Sequence, residues 1–120
     1  MKTLAAAAVL LFASTAWAAH PHVAGKWSVH TSISDTEHQQ TCTFIQKGNA
    51  LTGECTLDQG TAQLTGTVDG TSVTWKYDSA YQGTPFTATY QGKLQGDTIT
   101  GTTDIDAFSV SGEFTATRVH

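Results

Sequence analysis

Three small groups of side chains in this 120-residue chain have the types and spacing to do chemistry. Cys42 and Cys55, the only cysteines, bracket the stretch CTFIQKGNALTGEC and can form a metal site, a redox couple or a staple. Asp104 and Asp106 share a face if the chain is extended there, and paired carboxylates can hold a divalent cation or divide acid and base roles. Ala19-His20-Pro21-His22 would offer copper a terminal amine and two imidazoles if the chain were cut before Ala19.

Each group also has a plainer reading. Without a second acidic cluster the aspartates read as a solvated loop. Pro21 lacks the backbone N–H that many amino-terminal copper sites deprotonate, which leaves His20 and His22 as weak metal candidates in a disordered leader. His30 falls on an outward face and His120 ends the chain. The chain has no nucleophile elbow, zinc-protease helix, phosphate-cradling loop or calcium loop. Neither an enzyme nor a cofactor is expected.

The cysteines are decided by the hairpin that carries them. A two-residue turn at Gly48-Asn49 pairs Lys47 with Ala50 and, counting outward, sets Cys42 opposite Cys55 at a non-hydrogen-bonded position. Cα atoms in such a pair lie ~4.5 Å apart, within disulfide reach. A zinc or redox site needs further ligands or a C-x-x-C spacing, and both are missing. The pair is therefore a staple contributing ~2–3 kcal/mol.

Hairpins of the same kind fill the rest of the chain. Period-two alternation predicts strands at 25–33, 38–47, 50–57, 61–68, 71–79, 86–94, 98–104 and 108–118. In LTGTVDGTSVTWKY an Asp69-Gly70 turn would pair Leu64 with Trp75 and Gly66 with Val73, and in YQGKLQGDTITG a Gly96-Asp97 turn pairs Leu94 with Ile99. Eight short strands in meander order avoid exposed edges by closing, so the fold class is all-β, an eight-stranded antiparallel up-and-down barrel. Such a barrel is filled by side chains or holds one small ligand.

Ahead of the barrel, Lys2, the apolar run Leu4 to Phe12 and Ala16-Trp17-Ala18 make a signal peptide with an A-x-A cut. The expected organisation is signal peptide 1–18, flexible leader 19–24 and barrel 25–120. A periplasmic or secreted protein with no membrane span follows, since no later apolar run approaches ~18 residues. Five Lys and Arg against ten Asp and Glu after the cut leave a charge of about −5, without the basic patch that a nucleic-acid partner requires.

Alternating strand direction sorts the connections onto two rims. Tight turns gather at one, with Trp27 and Arg118 placed to close the floor by stacking. Longer connections are expected at the other: 34–37, 58–60, 79–85 and 104–107. Inward residues near that wide rim are Ile33, Leu57, Ala62, Tyr77, Phe86 and Phe108, with Tyr81 and His38 at the lip. The candidate ligand-binding residues are thus Ile33, His38, Tyr77, Tyr81, Phe86 and Phe108. Whether they line a cavity stays open, because five inward glycines (53, 66, 92, 101 and 112) can make room for Trp75, Phe44, Tyr90 and Phe114.

Gly25-Lys26-Trp27 with Arg118 resembles the structural signature of the calycins, the lipocalin and avidin superfamily. From Gly25 to Arg118, GKW, LTGTVDGTSV, YQGKLQGDTITG and GEFTATR are similar to a secreted bacterial lipocalin-like domain that also occurs attached to exported hydrolases. That resemblance implies a ligand-binding barrel but brings no assigned activity. Avidins carry Asn two residues after the first Trp, where this chain has Val29, so biotin is not expected. The expected function is binding a small apolar or amphipathic molecule at the wide rim. The alternatives are a non-catalytic envelope interaction module and amino-terminal copper binding; the oligomeric state is left open.

Overall fold

The computed structural model describes residues 22–58 and 60–120. The predicted signal peptide and the first half of the leader, His20 included, lie outside the described residues. Eight antiparallel strands follow one another around a closed barrel: β1 (Gly25–Ile33), β2 (Thr36–Lys47), β3 (Ala50–Leu57), β4 (Gly60–Asp69), β5 (Ser72–Tyr81), β6 (Thr84–Gln95), β7 (Thr98–Ile105) and β8 (Val110–Arg118). A 3-10 turn, Asp106–Phe108, joins β7 to β8. Closure comes from β1 pairing with both β2 and β8, so no strand edge is left open.

The cysteine hairpin has the predicted register. Lys47 pairs with Ala50 and Cys42 with Cys55, whose Cα atoms are 4.0 Å apart and whose sulfurs are bonded. Both cysteines are fully buried on the inward face. The β6–β7 hairpin likewise pairs Leu94 with Ile99.

The β4–β5 hairpin is corrected. Its turn is Gly70-Thr71, so Leu64 faces Tyr77 and Gly66 faces Trp75. All three narrow-rim turns begin with a glycine at positive φ (Gly48, Gly70 and Gly96), and none of their second residues has positive φ. Glycine-first is the type II′ requirement, whereas Asp-Gly suggested type I′. The turn moves by one residue and the pairing by two, so the inward face is unchanged.

The expected long loops at the other rim are also corrected. Strands run further, and the connections Ser34-Asp35 and Gln82-Gly83 are two-residue turns between Ile33 and Thr36 and between Tyr81 and Thr84. Polar residues near strand ends read as loop, but ladder pairing in a closed barrel carries strands past them. Strand eight starts at Val110 rather than 108, because the chain bends into the 3-10 turn. That bend also removes Asp106 from the extended face it was expected to share with Asp104.

Apolar side chains point inward and polar ones outward; β7, for example, turns Thr98, Thr100, Thr102 and Asp104 outward and buries Ile99 and Thr103. A lipid-embedded barrel requires the reverse pattern. Among the described residues, no helix is long and apolar enough to cross a membrane.

The middle of the barrel is filled. Trp75 stacks on Tyr90 at 5.0 Å, and Phe44 and Phe114 meet Trp75 edge-on at 5.0 and 5.2 Å. The five inward glycines serve the curvature as much as the rings. A Cβ on Gly101 would sit 1.9 Å from the Gln91 carbonyl oxygen of the neighbouring strand, so only glycine lets the backbones approach so closely. Gly92 does both jobs, since its Cβ would lie 2.6 Å from Thr100 O and 2.9 Å from Phe114 Cζ.

The narrow end is sealed. Arg118 Cζ lies 4.5 Å from the Trp27 ring centroid. The same guanidinium donates to Asp97 Oδ1 and to the Ala24 and His22 carbonyls. Val23, within the stretch expected as leader, is fully buried, and its carbonyl accepts from Trp27 Nε1 at 2.9 Å. Around this rim Asn49 O accepts from Val68 N, Thr71 O from Leu94 N and Asp97 O from Arg118 N. Each turn is thereby laced to the adjacent strand beyond its own hairpin, which gives the repeated Gly-x turn in the sequence a structural role.

Candidate functional site

At the wide end the inward faces stay half-exposed. Ile33 on β1, Leu57 on β3, Phe86 on β6, Ile105 on β7 and Val110 on β8 are all intermediate in burial. Beneath them Tyr77 is 6% and Ala62 7% exposed, and below that level the aromatic side chains are buried, with Leu94 and Gln46 half-buried at the narrow rim. The wide end therefore forms a half-exposed apolar rim, the candidate mouth, packed on the filled centre.

A polar belt forms the bottom of that mouth. Gln40 Nε2 on β2 donates to Tyr77 Oη on β5 at 3.2 Å, and Tyr90 Oη on β6 donates to Gln40 Oε1 at 3.2 Å. The two tyrosine hydroxyls stand 3.4 Å apart, which closes a ring of three side chains. Burial pushes the Tyr90 phenol well above its ordinary value, and Tyr77 adds to the effect, so the hydroxyl stays neutral. Thr31 and Thr103 are also buried inward and act on Tyr90 weakly in the opposite sense. Neither Thr103 Oγ1 nor Trp75 Nε1 makes a well-aligned hydrogen bond to a protein group, although Thr103 lies close enough to Tyr90 to act on it. An unpaired buried polar group costs about 1–3 kcal/mol.

Charge is nearly absent from the interior. Cross-strand register sets the inward positions, and none of them holds Asp, Glu or Lys. The basic side chains at inward positions are Arg118 in the floor and His38 at the lip, where it is exposed opposite Thr31.

No family model, curated protein or solved structure matches this chain. Its fold stands on its own geometry, a closed antiparallel eight-stranded barrel compatible with a calycin-like architecture.

The candidate residues divide into two groups. Ile33, Tyr77 and Phe86 point inward around the mouth, with His38 and Tyr81 at its lip. Phe108 does not line the interior as expected. It sits on the 3-10 turn, 39% exposed, with Tyr81 (61% exposed) and Phe86 each 6.0 Å from it, centroid to centroid. Beside these rings is a shallow depression bordered by Asp78, Pro85, Thr87, Asp106 and Ala107. There Asp106 Oδ1 accepts from Thr87 N, tying the turn to β6, and Asp78 Oδ1 accepts from Thr87 Oγ1 across the β5–β6 pair.

The sequence did not single out Gln40 or Thr103. Both occupy inward positions, a period-two signal that a search for catalytic motifs passes over. His22 is exposed, and among the described residues no three His, Cys, Asp or Glu side chains group to hold a metal ion.

Proposed function

We propose that this protein is an exported, non-catalytic barrel that takes a small apolar or amphipathic molecule through its wide end. One observation carries the reading: the inward side chains of the wide half are half-exposed above a hydrogen-bonded belt, while the narrow half is sealed by Trp27, Val23 and Arg118. Apolar walls with a few convergent polar groups are the usual make-up of a small-molecule site. The buried Cys42–Cys55 disulfide and the amino-terminal sequence favour a periplasmic or secreted location.

A second reading, an envelope interaction module, is favoured by the exposed Tyr81–Phe108 pair at the rim. Titration with the neutral fluorophore N-phenyl-1-naphthylamine separates the two. One saturable site is expected, lost in Leu57→Glu and kept in a Tyr81→Ser, Phe108→Ser double variant, with native melting confirmed for each. Loss in the rim variant alone would favour the interaction module, and no saturable binding would end the ligand reading.

A further inference from the structure

The belt specifies which kind of polar group the ligand carries. Gln40, Tyr77 and Tyr90 are all neutral hydrogen-bonding side chains, and their ring leaves spare capacity: each tyrosine oxygen and Gln40 Oε1 keeps an acceptor site. Next to Tyr90, Thr103 Oγ1 is fully buried without a well-aligned hydrogen bond to the protein. A buried charge needs a counter-charge, and no inward Asp, Glu or Lys is present; the Arg118 guanidinium is committed to Asp97 and the Trp27 floor at the opposite end. A carboxylate head at the belt would have only His38, exposed at the lip, as a basic neighbour, and an ammonium would have no anion. A hydroxyl or an amide bearing an N–H can instead both give and take hydrogen bonds there.

Resting on the reading of the wide end as a ligand mouth, we infer that the ligand is an uncharged amphiphile whose hydroxyl or N–H amide head group is held by Gln40, Tyr77 and Thr103, its apolar part lying between Ile33, Leu57, Phe86 and Ile105. Four residues separate Tyr77 from Tyr81 at the lip, which is about 13 Å of strand. The mouth therefore suits a medium-length chain or a small ring system.

The test is displacement of N-phenyl-1-naphthylamine from the oxidised protein at neutral pH by 1-decanol, decanoate and decylammonium. Decanol is expected to bind at least tenfold more tightly than either ion. Thr103→Val, which preserves shape, and Tyr77→Phe should each weaken decanol several-fold more than they weaken the fluorophore. Decanoate or decylammonium matching decanol would overturn the head-group inference while the mouth reading survives. So would a preference for decanol that both variants retain in full, because the belt would then not be its source. A fluorophore that never binds would remove the mouth and the inference together.

Discussion

At the narrow end, three turns begin with glycine at φ of 60°, 59° and 60°, and each passes a carbonyl to a strand beyond its own hairpin. At the wide end, Ser34, Asp35, Gln82 and Ser109 hold positive φ without being glycine, and these four are the non-glycine residues of that kind among those described. Left-handed backbone costs such residues about 1 kcal/mol or more each. One end uses the residue type that makes its turns cheap and adds hydrogen bonds between hairpins; the other keeps strained turns and half-exposed apolar walls. The difference teaches where stability resides and where shape has been retained at its expense.

The largest effect should come from opening the sealed end. Trp27→Ala removes a fully buried ring together with its bond to Val23 O and its contact with Arg118, and is expected to cost about 3–5 kcal/mol in urea denaturation. A loss below about 1 kcal/mol would mean that the narrow end is not the stable one. The staple comes next: a Cys42→Ala, Cys55→Ala variant should lose about 3 kcal/mol. In the native protein neither sulfur should react with a thiol reagent until the barrel is unfolded and reduced.

Much of this contrast was legible in the sequence. Alternation fixed the inward faces, and Gly48-Asn49 and Gly96-Asp97 gave two registers directly. The Asp69-Gly70 hairpin slipped because Asp-Gly is also a strong type I′ signal, and only the observed φ values distinguish the two turns. The wide rim was harder to read for a different reason. Ser34-Asp35 and Gln82-Gly83 are poor candidates for tight turns by local propensity, and it is barrel closure that holds the strands in register up to them. Gln40 and Thr103 were missed since their meeting with Tyr77 and Tyr90 depends on closure across β2, β5, β6 and β7, which no local pattern records.

Titration should separate the ends by pH. Hydrogen bonds from Arg118 first and His120 second hold the Asp97 carboxyl below its ordinary value of 3.8. Its folded form thus favours the carboxylate, and that contribution is present above 3.8 and fades as pH falls through the lowered value. Asp97→Asn should flatten the acid limb of a melting-temperature profile. Tyr90 is displaced upward, so stability should decline as pH climbs past 10, where the unfolded phenol ionises and the buried one does not. Tyr90→Phe should remove that alkaline decline; a decline of equal size in the variant would place its origin elsewhere.

The smallest effect belongs to the lip. Tyr81→Ser and Phe108→Ser should each change stability by no more than about 0.5 kcal/mol, since both rings are already exposed. A cost comparable to that of Trp27→Ala would erase the distinction between the ends.

The most direct test of that distinction is amide and methyl chemical-shift mapping of the oxidised protein titrated with 1-decanol. Saturable shifts should appear at Ile33, Gln40, Leu57, Tyr77, Phe86 and Ile105, while Val23, Trp27 and Val73 stay still. Shifts confined to Tyr81 and Phe108, or spread equally over the sealed end, would contradict a barrel that admits its ligand from one side only.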